Sequence, residues 1–378
     1  MSIGRVQGPA LAILGKRELE IKNFKPVPYW EISCLVEKIK FLHIKKRFDD
    51  KKEAQKVLEE SKNPPWKIEK IQKHSFKENP PFPFDLTSLQ VEAYKHFKFT
   101  PQQTQQLAQN LYENSLISYP RTSSQKLPLK LGLNKIIERL AQQSDYKEHC
   151  KKLLNNKWFK PNEGKKEDPA HPAIHPTGLI AENLEKREKK LYDLIVRRFL
   201  ACFMPPAKKE TTKIFLKCSN QQYFTEGTTT LELGWQEVYK PYVEFSAQEL
   251  PKFLEGQEVV VSKFTLDEKL TKPPRRYTPA SIVSELEKRA LGTKATRATV
   301  IETLFKRGYI KGRGSVTVTP FGLAVLEVLQ KHVPEILDEE LTRNIENKME
   351  QIQEKKLEPS IITQEGKNIL LSILEKFK

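Results

Sequence analysis

Strand-like alternation occurs twice in this sequence, in stretches far apart, and that separation constrains the fold more than any other feature. The first stretch opens with VPYWEISCLVEKIKFLHI, where Trp30, Ile32, Cys34 and Val36 fall on one face, the period-two pattern of a half-buried strand. It runs on through a charged helix, KRFDDKKEAQKVLEES, with Phe48, Ala54, Val57 and Leu58 inward, to a returning strand, WKIEKIQKHSF. The proline-rich ENPPFPFD then marks a boundary. Alternation resumes only after Pro205-Pro206, in TKIFLKC, QYFTEG, TTTLELGWQEVY and EVVVSKFTLDEKL. The economical reading is one β-rich domain interrupted by whatever lies between. No fixed period recurs, so a repeat array is excluded.

The intervening block is helical. LTSLQVEAYKHF starts at a Thr/Ser cap; FTPQQTQQLAQNLYENS has Thr100 as N-cap, Pro101 at the first helical position and a core face at Leu107 and Leu111. LGLNKIIERLAQQ, DYKEHCKKLL and residues 182–204 continue the pattern. The N-terminal GRVQGPALAILGKRELEI is a helix after a glycine turn. In the last third, Thr278-Pro279 caps ASIVSELEKRAL, the turn GTKAT leads into RATVIETLFKRG, and YIKGRGSVTVTP can form a hairpin. Helix, turn, helix, ribbon is the order of a winged helix-turn-helix. PFGLAVLEVLQKH and EELTRNIENKMEQIQ make the end helical.

At 378 residues the chain is too long for one ordinary core. No apolar run approaches the roughly 20 residues that cross a bilayer, and the N-terminus lacks the pattern of a secretory signal. The formal net charge of +17 favours a polyanionic partner, nucleic acid first, over a merely solvated lysine surface. Four cysteines without a C-x-x-C pair argue against a zinc ribbon and fit a reducing, cytoplasmic setting.

SLISYPRTSS, residues 115–124, carries the most pointed chemistry. A residue before proline is extended, and side chains two apart on extended backbone point the same way. Tyr119 and Arg121 can therefore meet one small anion together. A phenol of ordinary pKa, about 10, is a poor nucleophile at neutral pH, but a guanidinium favours phenolate and stabilises charge on a phosphoryl transition state. Hydroxyls such as Ser123 can bind phosphate oxygens or simply serve the turn. A packed aromatic at a loop edge fits the same residues. His171 and His175, in AHPAIHPTG, sit between prolines that forbid a regular helix, which counts against a zinc pair. They suit an imidazole offered to a phosphate oxygen or departing hydroxyl, or loop residues with no role. In GTKATRAT, Thr296 or Thr299 lies at a helix N-terminus that attracts phosphate, and Lys294 and Arg297 add charge; an ordinary capped helix is the alternative.

Taken in order, IGRVQGPALAIL, FDLTSLQVEAYKHF, AQNLYENSLISYPRTSS, DPAHPAIHPTG, RRYTPASIVSELEKRALGTKATRATVIETLFKRGYI and TPFGLAVLEVL with LTRNIENKMEQI strongly resemble type IA DNA topoisomerases, particularly archaeal ones. The resemblance implies a mixed α and β, multidomain toroid: a β-rich arch (28–78 and 206–270) interrupted by a helical tyrosine domain (79–205), plus a winged-helix-like base (1–27 and 271–378). It implies Tyr119 as the nucleophile that forms a 5′-phosphotyrosyl bond with one DNA strand, Arg121 as the phosphate-stabilising arginine, and His171 beside the scissile phosphate. Arg5, Gln7 and Thr296 match positions that hold the single strand. The family's TOPRIM domain, whose acidic cluster holds Mg²⁺, has no counterpart here: no D-x-D-x-E string occurs. The expectation is a split enzyme that relaxes negatively supercoiled DNA once a separate TOPRIM polypeptide supplies Mg²⁺, with no zinc module and no membrane partner. A non-catalytic DNA-binding subunit and the topoisomerase module of a reverse gyrase are the alternatives.

Overall fold

The structure, a computed structural model, describes residues 3–244 and 250–375. The chain forms two compact units, each drawn from separate stretches: Met1–Asn23, Phe82–Cys202 and Pro274–Lys378 make one, Phe24–Pro81 and Phe203–Pro273 the other. The class is mixed helix and sheet. Helix α1 (Gln7–Lys22) opens the first unit.

The second unit is a six-stranded antiparallel sheet. Its strands are β1 (Pro28–Val36), β2 (Ile39–His43), β3 (Trp66–Glu78), β4 (Ala207–Cys218), β5 (Gln221–Glu232) and β6 (Val261–Leu270), in the order β3-β4-β5-β2-β1-β6. Strands from both sides of the helical block thus share one sheet, as the repeated alternation predicts. Trp30, Ile32, Cys34 and Val36 all point into its core, with Phe41, Ile68, Ile214, Leu216 and Tyr223. The edge strand β3 is covered at its start: Ile68 N donates to Gln257 O at 2.9 Å and Val259 N to Trp66 O at 3.0 Å. Closing an edge removes a row of unpaired backbone groups.

Two expectations in this unit need correcting. Helix α2 (Lys51–Ser61) starts after Phe48, because Asp50 caps it by accepting from Lys52 N. Phe48 is buried, but through backbone pairing with Trp30. QYFTEG and TTTLELGWQEVY are not two strands. Gly227 lies mid-strand opposite Thr212 in one continuous β5, and Gly234–Glu237 turns away as a 3-10 helix.

The first unit holds the helices α3 (Leu86–Phe97), α4 (Pro101–Glu113), α5 (Leu133–Leu140), α6 (Lys147–Asn155) and α7 (Lys186–Ala201). Thr100 caps α4 in a capping box with Gln103, with Pro101 at the first position. The cap of α3 is Asp85 rather than a hydroxyl residue; Ser88 completes its box. The helix-turn-helix follows as α8 (Pro279–Lys288) and α9 (Arg297–Lys306), with a short ribbon of β7 (Ile310–Lys311) and β8 (Thr317–Val318). Then come α10 (Pro320–His332), α11 (Glu339–Gln353) and α12 (Pro359–Glu375); the last was not foreseen. Helix α3 packs on α8, and α4 on α9. The second helix of the helix-turn-helix is thereby held against the helix that leads into SLISYPRTSS. Among the described residues no helix is long and apolar enough to cross a membrane.

Helix α1 is the keystone of the helix-turn-helix core: Ala10, Leu11, Ile13 and Leu14 pack with Ile282, Leu286, Ile301, Leu304 and Val325. Its approach depends on Gly8, where a Cβ would run into the backbone carbonyl of Ile336. Gly8→Ala is therefore expected to destabilise the chain by about 1–3 kcal/mol, the usual cost of overpacking. Gly4→Ala, whose Cβ would touch only the flexible Gln7 side chain at 3.6 Å or more, leaves stability nearly unchanged. Thermal unfolding of the two variants side by side checks this.

Candidate active site

The tyrosine segment leaves α4 through a left-handed residue, Ser115 (φ 58°), with Leu116 N returning to Leu111 O at 2.9 Å. It then runs antiparallel to the histidine segment. Ser118 N donates to His175 O at 2.8 Å and Thr177 N to Leu116 O at 3.0 Å, around an Ile117–Pro176 bridge. Phe84 flanks the other side, its carbonyl accepting from Ile174 N at 2.8 Å. The two motifs, some fifty residues apart in sequence, become neighbours through backbone hydrogen bonds.

Burial alternates through YPRTS: Pro120, Thr122 and Ser124 are buried, while Tyr119, Arg121 and Ser123 are half-buried. This is the extended geometry expected of a pre-proline tyrosine, and it turns Tyr119 and Arg121 the same way. The Tyr119 ring lies 4.7 Å from that of His171, tilted by 53°. On another side, Tyr112 meets it edge-on at 5.3 Å. Among the described residues the Tyr119 hydroxyl has no hydrogen-bond partner. The Arg121 guanidinium has neither a hydrogen bond nor an ion pair, and its Nε is buried without a partner. A cation left in that condition is suited to an incoming anion.

The two histidines separate. His171 is half-buried with its ring on Tyr119. His175 is buried, its Nδ1 within 2.8 Å of Ala173 O, and burial pushes its pKa below the ordinary imidazole value. Its ring is thus tied to the backbone of its own segment.

Arg5, Gln7, Thr296 and Arg297 lie at adjoining segments of the same unit: a Cβ on Gly292 would meet Val6, Thr296 and Arg297. Arg5 pairs with Glu346 at 3.1 Å, and its Nη1 is buried without a partner. Gln7 Oε1 accepts from Gly4 N at 3.1 Å and from Arg307 Nη1 at 2.5 Å. Thr296 stands at the start of α9, its hydroxyl accepting from Thr293 N at 3.0 Å rather than capping the helix. Arg297 turns inward and donates to Leu291 O at 3.2 Å; burial lowers its pKa. Lys294 and Ser123 both reach one carboxylate, that of Asp168.

Asp168, Tyr112 and Arg307 were missed in the sequence. Tyr112 occupies the last turn of α4, and Asp168 hides in the charged run GKKEDP. Burial works against the charge of Asp168, but the Lys294 ammonium and the N–H groups of Ser123 and Ala170 outweigh it, holding the carboxyl well below the usual carboxylate range. A divalent ion finds no donor set: among the described residues no three His, Cys, Asp or Glu side chains gather where an ion could sit.

An unpartnered phenol against an imidazole, with an unpartnered guanidinium two residues on, in a chain of net charge +17, is a set suited to binding and attacking a phosphodiester. Residues 1–364 match the family model for DNA topoisomerase. The chain belongs to the type IA DNA topoisomerases, archaeal type. This topoisomerase chain is 46% identical to DNA topoisomerase 1 of Pyrococcus horikoshii, with 100% of the chain and 56% of the relative aligned. It is 46% identical to DNA topoisomerase 1 of Methanocaldococcus jannaschii, again over 100% of the chain and 50% of the relative. It thus spans about half the length of the curated relatives it matches. It is similar in structure to full-length topoisomerase I from Thermotoga maritima, with a TM-score of 0.80 and 28% identity over 100% of this chain and 64% of that one.

Proposed function

We propose that this topoisomerase chain carries the strand-cleaving tyrosine, and that it relaxes negatively supercoiled DNA with Mg²⁺ held on a separate TOPRIM-bearing polypeptide. The observation that carries the reading is the Tyr119 ring against His171, with an unpartnered guanidinium two residues on at Arg121. The phenol oxygen attacks a backbone phosphorus of a single strand, forming a 5′-phosphotyrosyl bond as the bond to the 3′ oxygen breaks. The proton lost by the phenol is balanced by the one that the departing 3′ hydroxyl gains. Arg121 offsets the charge on the phosphoryl oxygens, and the His171 imidazole serves a phosphate oxygen or the departing hydroxyl. Attack by the 3′ hydroxyl on the phosphotyrosine restores the strand after another has passed. Lys294, Arg297, Thr296, Arg5, Gln7 and Ser123 lie along the path proposed for the strand. The domain division at 1–27 with 271–378, 28–78 with 206–270, and 79–205 belongs to the same reading.

Mixing the chain with a TOPRIM polypeptide and Mg²⁺ is expected to restore relaxation of negatively supercoiled plasmid, with either component alone inactive. Full relaxation by this chain alone would sink the claim of a separate metal-bearing partner.

A further inference from the structure

We propose that Asp168 is a positioning residue for strand cleavage, fixing the tyrosine loop, the histidine loop and the turn before α9 relative to one another through a single carboxylate. The inference deepens the strand-cleavage reading and rests on it for its catalytic consequence.

The Asp168 side chain is only 1% exposed, so an unsatisfied charge there would be costly. It is fully satisfied by three separate stretches of chain. Oδ2 accepts from Ser123 N at 3.1 Å, from Ser123 Oγ at 3.2 Å and from Lys294 Nζ. Oδ1 accepts from Ala170 N at 3.1 Å and from His171 N at 3.3 Å. Ser123 follows Arg121 by two residues, and His171 carries the ring that faces Tyr119. One carboxylate therefore adds to the backbone pairing of the nucleophile's loop and the imidazole's loop a shared tie to a cation of the helix-turn-helix. Five donors on two oxygens leave it little freedom to shift.

A second tie runs in parallel. Lys166 Nζ bridges Asp85 Oδ2 and Glu287 Oε1, each at 3.1 Å, joining the cap of α3 to α8. Its side-chain partners lie on the helices, and Gln125, just past the tyrosine loop, joins the same tie by donating to Asp85 Oδ2 at 3.1 Å and to Lys166 O at 2.9 Å. Lys166 can hold the helices together when Asp168 is altered, while Asp168 is the side chain that ties both loops, already paired through their backbones, to Lys294. An asparagine at 168 would turn an N–H₂ toward N–H donors and remove the countercharge of Lys294. A glutamate would keep that charge but move the oxygens by one methylene.

The test uses the full chain with its TOPRIM polypeptide and Mg²⁺. In Asp168→Asn, amide hydrogen exchange is expected to rise about tenfold or more at Ser123, Ala170 and His171, with exchange in β4 and β5 unchanged. Cleavage of a saturating single-stranded oligonucleotide should fall by about 10²-fold, the scale of a small misplacement of reacting groups, while its Kd moves little. Asp168→Glu should retain the unfolding temperature and lose cleavage similarly. Wild-type exchange at the three amides, wild-type cleavage in Asp168→Glu, or losses that merely track global unfolding would each overturn the proposal. If the unaltered protein forms no adduct at all, the strand-cleavage reading fails, and amide exchange still decides whether Asp168 positions the loops.

Discussion

Tyr119→Phe is expected to abolish the covalent adduct with single-stranded DNA while leaving the fold and strand binding as they were. The substitution removes one oxygen, and that oxygen has no hydrogen-bond partner among the described residues. Ring contacts with His171 and Tyr112 depend on the aromatic face and edge, which phenylalanine retains. Stability should therefore stay within about 0.5 kcal/mol, as for substitutions that break no named interaction. Covalent catalysis has no substitute for the attacking atom, so the adduct should drop to the limit of detection rather than weaken. Denaturing electrophoresis of a labelled oligonucleotide, incubated with the chain, a TOPRIM-domain polypeptide and Mg²⁺, measures it directly. An adduct in the phenylalanine variant would move the nucleophile elsewhere. Loss of oligonucleotide binding would mean that the hydroxyl holds DNA rather than cleaves it.

How much of this was legible in the sequence depended on the range of the interaction. Alternation found both halves of the sheet because Trp30, Ile32, Cys34 and Val36 are each buried by the same local pleat. The proline after Tyr119 fixed the backbone locally, so the shared direction of Tyr119 and Arg121 could be argued from two residues. Features set by distant chain were lost. Gly227 looks like a break because a strand interior rarely favours glycine, yet its partners on β4 carry the strand through. The run ending in Asp168 looks like a solvated loop, and only the fold brings Lys294 to it from 126 residues away. Charge alone offered Arg297 as a DNA contact, and only the folded turn shows that its Nε also donates to the Leu291 carbonyl. Composition cannot state which way an arginine points.

Arg121→Ala should separate function from stability in the opposite sense to an ordinary buried residue. Burying a guanidinium nitrogen without a partner costs free energy, and the Nε of Arg121 is in that state. Removing it deletes an unsatisfied donor and no hydrogen bond or ion pair among the described residues, so the unfolding temperature should hold or rise. Cleavage should nevertheless fall by about 10²–10³-fold, the cost of losing one preorganised charge-stabilising donor. A group that destabilises the free protein and stabilises the transition state is one retained for its chemistry. Arg121→Lys sharpens the test. Lysine restores a positive charge but not the planar fork that engages two phosphoryl oxygens together. Its cleavage rate should lie between those of alanine and arginine, with oligonucleotide binding nearly restored. If lysine recovers the full rate, Arg121 acts only as a point charge. If alanine lowers stability and binding together while the cleavage rate at saturation is unchanged, the guanidinium holds the loop, and the phosphate is stabilised by another group.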